Sequence, residues 1–134
     1  MVPVDDDALA AGWHELMGRY QRLTCALDRE LQAGHGLSAS EFEVLQQLSH
    51  APDHSLRMSE LAESAHVSQS ALSRLVSRLE VDGLLQRSAC TQDRRSLFVE
   101  LTALGVTRYD EARPTQRRVL REDTQQAGGC LQRE

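Results

Sequence analysis

Within residues 68–83, six polar positions carry a chemistry that a solvated helix face seldom shows. Gln69, Ser70, Ser73, Arg74, Ser77 and Arg78 follow one another with no carboxylate before Glu80. Hydroxyls, an amide and guanidinium groups are the donors and acceptors that match base edges and phosphate oxygens. Between them, Leu72, Leu75, Val76 and Leu79 recur at i, i+3, i+4 and i+7, so the segment is predicted to be a helix with one apolar stripe. Ser68 is the expected N-cap, and Gly83 the expected stop just past the last periodic residue. Alone, such a helix also reads as an ordinary amphipathic core helix; its neighbours decide between the two.

Other chemistries are weaker. The three cysteines, Cys25, Cys90 and Cys130, have no metal-like spacing and cannot all pair within one chain, so reduced thiols are expected. The five histidines are scattered, and Pro52 separates His50 from His54, so neither a metal nor a cofactor is expected. No GxSxG, HExxH or glycine-rich phosphate loop is present, which argues against an enzyme.

The chain has 134 residues and a net charge of −5, and its charge is unevenly spread. Residues 1–67 hold 4 Arg against 11 carboxylates, a net −7, and residues 68–98 hold 5 Arg against 3, a net +2. A local basic patch on an acidic body is compatible with a nucleic-acid partner. Aromatic residues make up only 4%, so the core must be built from Leu, Val and Ala, which points to a mainly α protein. No apolar run approaches the length of a membrane span, and the acidic N-terminus is unlike a signal peptide, so a cytoplasmic location without membrane association is expected.

The elements that must position the polar helix can be read in order. Over residues 7–33, Leu9, Trp13, Leu16, Tyr20, Leu23, Leu27 and Leu31 follow a near-heptad rhythm, predicting a long helix whose seam seeks another helix, ended by Gly34 and Gly36. Ser38 and Glu41 form a capping box that opens a second helix carrying Phe42, Val44, Leu45 and Leu48 and ending before Pro52. Residues 56–58 allow one strand rung, and Ser59 is expected to cap a short helix over 60–65. A three-residue turn at 65–67 then leads to the polar helix, the helix-turn-helix pattern. Residues 84–89 and 96–101 read as strands joined by a polar turn over 90–95, tipped by Arg94 and Arg95. A hairpin after a helix-turn-helix makes a winged helix, and arginines there can reach a minor groove. Thr102 to Gly105 starts a further helix, which Pro114 is expected to kink or restart and the Gly128–Gly129 pair to end.

With these residues in place, the chain resembles the MarR family of bacterial transcription regulators. The resemblance rests on LSASEFEVLQQL (37–48), MSELAESAHVSQSALSRLVSRLEVDGLL (58–85) and DRRSLFVELTALG (93–105), and it spans about residues 8–122. It implies a winged helix-turn-helix lobe over 37–104, an N-terminal dimerisation helix in 1–36, and a C-terminal dimerisation helix and tail in 105–134. It further implies a homodimer, most often a repressor, straddling a pseudo-palindromic double-stranded DNA operator. Ser68, Gln69, Ser70, Ser73 and Arg74 would face base edges and phosphates, while Arg78 would support the lobe or reach backbone. Asp93 would orient the wing, and Arg95, with Arg94 beside it, would enter the minor groove. His66 stands where the family's turn usually has glycine, and histidine tolerates positive φ better than most residues. The segment 123–134 is shorter and more polar than the family's usual last helix, leaving the dimer resting on the first helix and on residues 101–120.

Family resemblance also implies a small, often aromatic or phenolic effector, for which Trp13, Met17, Tyr20, Tyr109 and Arg113 are candidate lining residues, though each also reads as core or interface. Two alternatives stand beside this one. A thiol-based redox regulator would use Cys25, flanked one turn either way by Arg22 and Arg29, or Cys90 at the wing. A winged module for protein–protein contact, without specific DNA binding, would carry a mixed-charge face on the helix from Ser68.

Overall fold

The computed structural model describes the backbone of residues 3–90 and 93–132, and the side chains of residues 3–88 and 97–124. Helix α1 (Asp6–His35) begins where the Asp5 carboxylate accepts the Asp7 N–H, and ends where Gly36 turns left-handed at φ 67°. Only its C-terminal half is covered within the chain; Leu31 is fully buried, while Leu9, Trp13, Leu16, Met17 and Tyr20 stand exposed. Helix α2 (Ala39–His50) opens on the full capping box. The Glu41 N–H donates to Ser38 Oγ at 3.0 Å, and the Ser38 N–H donates to Glu41 Oε1 at 2.8 Å.

After α2 the chain makes a tight turn at Pro52–His54, with Asp53 and His54 both at positive φ, before strand β1 (Ser55–Arg57). Asp and His tolerate a left-handed backbone better than most non-glycine residues, which suits two consecutive positions at positive φ. Helix α3 (Met58–Ser64) starts two residues earlier than expected, with Arg57 rather than Ser59 at its N-cap and no side-chain cap bond. His66 takes φ 58° in the turn, the strain its side chain was expected to bear. Helix α4 (Gln69–Val81) follows, then strands β2 (Leu85–Cys90) and β3 (Asp93–Leu101), and helix α5 (Ala103–Gln132).

The sheet is antiparallel in the order β1-β3-β2. Strand β1 pairs only with Phe98–Glu100 of β3, so the outer part of the hairpin is a two-stranded ribbon. Both strands run further outward than the sequence suggested: Cys90 pairs with Asp93, past an irregularity at Ala89/Cys90. Asp93, Arg94 and Arg95 therefore belong to strand β3 and not to a turn, because cross-strand pairing outweighs their weak intrinsic strand preference.

The core joins Phe42, Leu45 and Leu48 of α2 to Leu61, Leu72, Val76, Leu79, Leu84 and Val99, with Tyr109 and Ala112 of α5 sealing it. Helix α5 is not restarted at Pro114, and it does not stop at Gly128–Gly129. The carbonyl that Pro114 leaves without a partner belongs to Asp110. Both residues are exposed, so water can serve it. Glycine in a helix costs about 1 kcal/mol relative to alanine but does not forbid helical φ/ψ.

Helices α1 and α5 are clamped by polar side chains. Arg19 meets Asp123 at 3.1 Å, Arg118 meets Glu30 and Glu122 at 3.3 Å, and His35 Nε2 bonds Thr115 Oγ1 at 2.9 Å. Hydrogen bonds to Glu122 and then Glu30 raise the Arg118 pKa above its ordinary value. Among the described residues no helix is long and apolar enough to cross a membrane.

Thr102 ties the start of α5 to the lobe. Its Oγ1 accepts the Gly105 N–H at 3.0 Å and donates to the Gly83 carbonyl at 2.6 Å. Thr102→Ala is therefore expected to lower unfolding free energy by about 1–2 kcal/mol in chemical denaturation. Unchanged stability would mean that water replaces both bonds without cost.

Candidate nucleic-acid interface

Helix α4 is anchored by its apolar stripe, with Leu72, Val76 and Leu79 fully buried. Ser68 caps it as expected, its Oγ accepting the Ala71 N–H at 3.1 Å. At the other end Gly83 adopts φ 78° and its N–H donates to the Glu80 carbonyl, which turns the chain into β2. The opposite face is open: Ser68, Gln69, Ser70, Ser73, Arg74, Ser77 and Arg78 are all exposed.

Exposure alone does not make these positions equivalent. Ser77 Oγ accepts Arg87 Nη2 at 2.7 Å, and the same Nη2 donates to the Ser73 carbonyl at 3.3 Å. Arg87 also meets Glu80, both through its backbone N–H at 3.3 Å and as an ion pair at 3.9 Å. Ser77, together with the Ser73 carbonyl, is thus occupied with holding the hairpin. Gln69 and Arg74 make no hydrogen bond or ion pair with any other described side chain, and the first turn holds no carboxylate. What remains facing solvent is a patch of Gln69, Ser70, Ser73 and Arg74, next to the electropositive N-terminus of a 13-residue helix.

Arg87 escaped the sequence reading, although a signal was present. It shares the strand face of Leu85 and pairs across to Val99, both buried, so a charge there had to find a partner. At the hairpin root, the Arg57 guanidinium also sits 5.6 Å from the Phe98 ring centroid. Because β2 is fastened to α4, the hairpin stands alongside the polar patch. The backbones of Asp93, Arg94 and Arg95 lie on its outer part, while their side chains lie outside the described residues.

The aromatic candidates separate. Trp13, Met17 and Tyr20, with Leu16, line one apolar depression on α1. Tyr109 does not join them. It is buried in the lobe, stacked on Phe42 at 5.4 Å between centroids, with its OH donating to Gln46 Oε1 at 3.3 Å. The apolar faces of α2 and α5 close over it, so it serves as core. Arg113 is exposed on α5. Tyr20 also lines a second cleft with Thr24 and Leu27, opposite Ser40 and Glu43 of α2 and Ala65–Val67 of the turn before α4. Cys25 is a free, exposed thiol on α1, and the side chains of Cys90 and Cys130 lie outside the described residues.

A profile of the MarR family matches residues 37–97, the stretch from the α2 cap to the outer hairpin. The crystal structure of AbsC, a MarR family transcriptional regulator from Streptomyces coelicolor, superposes with a TM-score of 0.79 at 31% identity, over 92% of this chain and 82% of that one. The chain belongs to the MarR family. A second MarR family structure, Sco3205 of Streptomyces coelicolor in complex with DNA, gives a TM-score of 0.81 at 28% identity, covering 99% of this chain and 88% of the other. The HTH-type transcriptional repressor YetL of Bacillus subtilis (strain 168) is 37% identical over 82 residues, 61% of this chain and 49% of the relative. The chain thus spans about half the length of that curated relative.

Proposed function

We propose that the chain is a sequence-specific DNA-binding transcription regulator, working as a homodimer in the cytoplasm and acting as a repressor rather than an enzyme. The observation that carries this reading is the exposed, carboxylate-free patch of Gln69, Ser70, Ser73 and Arg74, bound through Arg87 to an arginine-bearing hairpin. Ser68 joins this patch, which enters the major groove. Arg94 and Arg95, with Asp93 orienting them, enter the minor groove beside it. The net +2 of residues 68–98 on an otherwise acidic chain supports the same face. So does membership of a family that has a relative solved with DNA.

The exposed stripe of α1, from Leu9 to Tyr20, supports a helix-to-helix dimer. Two lobes so joined suit a pseudo-palindromic operator. A small aromatic or phenolic effector fits the cleft between α1 and the turn before α4, reached by Tyr20. Trp13 and Met17 lie further along α1, in the separate apolar depression that Tyr20 also lines. An occupant of the cleft favours a lobe spacing that no longer matches successive major grooves, and DNA is released. An exposed Cys25 with no described thiol nearby gives the redox reading no support.

Footprinting on a duplex that the protein selects from a random library tests the proposal, and a protected, two-fold symmetric site is expected. Arg95→Ala should weaken that binding by about 10-fold or more at matched salt, through loss of a minor-groove cation. Unchanged affinity would remove the wing from the interface.

A further inference from the structure

Glu41 is 2% exposed, although it is ionisable and sits at the start of a helix. One carboxylate oxygen, Oε1, closes the capping box, while Oε2 is buried without a hydrogen-bond partner. Its one charged neighbour among the described residues is Arg78, whose Nε lies 3.5 Å away across the α2–α4 contact. Arg78 itself is 64% exposed and projects from the same helix as the DNA-facing patch. A buried carboxylate without its counter-ion is costly, whereas an exposed arginine loses little by staying near one. The balance therefore keeps Arg78 on Glu41 and away from phosphate.

We infer that Arg78 is a positioning residue and not a phosphate contact: it fixes α4 against the N-terminus of α2 by neutralising Glu41. The inference rests on the DNA-binding reading above and assigns one arginine of that face a different task. The same α2 end is held from the other side, where the Ala39 N–H donates to Asp28 of α1 at 2.7 Å, and it contributes Ser40 and Glu43 to the cleft under the turn before α4. One end of α2 therefore touches the dimerisation helix, the cleft and, through Glu41 and Arg78, the groove-reading helix. A shift of that end is passed to α4 through the ion pair.

Arg78→Gln, Arg74→Gln and the double variant Glu41→Gln/Arg78→Gln separate this from a phosphate contact. Each is titrated across a salt series against the protein's selected duplex and against a random-sequence duplex. Removing one cation from a phosphate lowers the slope of log affinity on log salt by about 0.9. Arg74→Gln is expected to show that loss on both duplexes. Arg78→Gln is expected to weaken the selected duplex by about 10-fold, while leaving the slope and the random-duplex affinity unchanged. The double variant, with no orphaned carboxylate, should return to within about threefold of wild type. A purely structural defect would lower both duplexes together by reducing the folded fraction. A slope reduced in Arg78→Gln, or a double variant no better than Arg78→Gln, overturns the inference alone. If Arg78→Gln does not fold, the double variant decides: a wild-type slope upholds the inference and a reduced one overturns it. A wild-type chain that prefers no duplex overturns the DNA-binding reading and this inference with it.

Discussion

Replacing Gly105 with alanine is expected to lower the unfolding free energy by about 2–4 kcal/mol, although alanine is the better helix former. A Cβ at this position would run into the Leu84 carbonyl oxygen and come within 2.9 Å of Leu101 Cδ2. The Leu84 carbonyl, the closer of the two, is backbone and cannot step aside. The Leu84 carbonyl accepts the Thr102 N–H at 3.1 Å, and the Leu84 N–H donates to the Leu79 carbonyl at 3.0 Å. Leu101 is held in register opposite Leu85. The gain in helix propensity, about 1 kcal/mol, offsets only part of a clash against fixed backbone. Thermal and chemical denaturation check the outcome, with a Tm lower by about 10 °C expected for a chain of this size. Gly34→Ala is the control, since a Cβ there meets nothing within 4 Å. Equal effects from the two substitutions would show that the close approach to Leu84 relaxes cheaply.

Gly105 also illustrates which parts of this fold are legible in a sequence. The LTALG stretch reads as a helix start because Thr102 is a cap residue, but the need for glycine comes from a carbonyl 21 positions earlier in the chain. Local devices are readable for the same reason that caps work: donor and acceptor lie about one helical turn apart along the chain. The Ser38–Glu41 box, the Ser68 cap, the Gly36 and Gly83 stops and the left-handed His66 all belong to this class. Features set by distant partners are not readable in the same way. The burial of Glu41, its pairing with Arg78 and the hold of Arg87 on Ser77 all require knowing which helix lies across from which. The strands extend to Cys90 and Asp93 because each completes the other's ladder, a term no single strand carries. Helix α5 likewise runs through Pro114, because the unpaired carbonyl opens to water rather than to the core. The polar patch on α4 was therefore visible as a set of residue types, and its true extent only after Arg87 had claimed part of it.

Substituting Leu16 with arginine is expected to raise the dimer dissociation constant by about 100-fold or more, and to weaken operator binding in step. Leu9, Trp13, Leu16, Met17 and Tyr20 are 51–70% exposed within the single chain, and Leu16 stands mid-stripe among them. A contiguous apolar surface of this kind on one long helix is what an obligate partner covers. In a two-fold dimer one substitution enters the interface twice, so two guanidinium groups would be desolvated with no carboxylate of the stripe to receive them. At the ordinary cost of burying an unpaired charge, several kcal/mol, a 100-fold effect is the lower end. The lobe itself should be spared: Leu16 is 56% exposed and lies outside the core that joins α2, α4, β3 and α5. Analytical ultracentrifugation should therefore find monomer at concentrations where the proposed wild-type dimer forms, with far-UV circular dichroism unchanged. Operator affinity should fall because the two lobes then bind without sharing the entropy of association. A variant that remains dimeric with wild-type affinity would move the interface off this half of α1. The dimer would then rest on residues 101–120, the other segment that the family resemblance assigns to it.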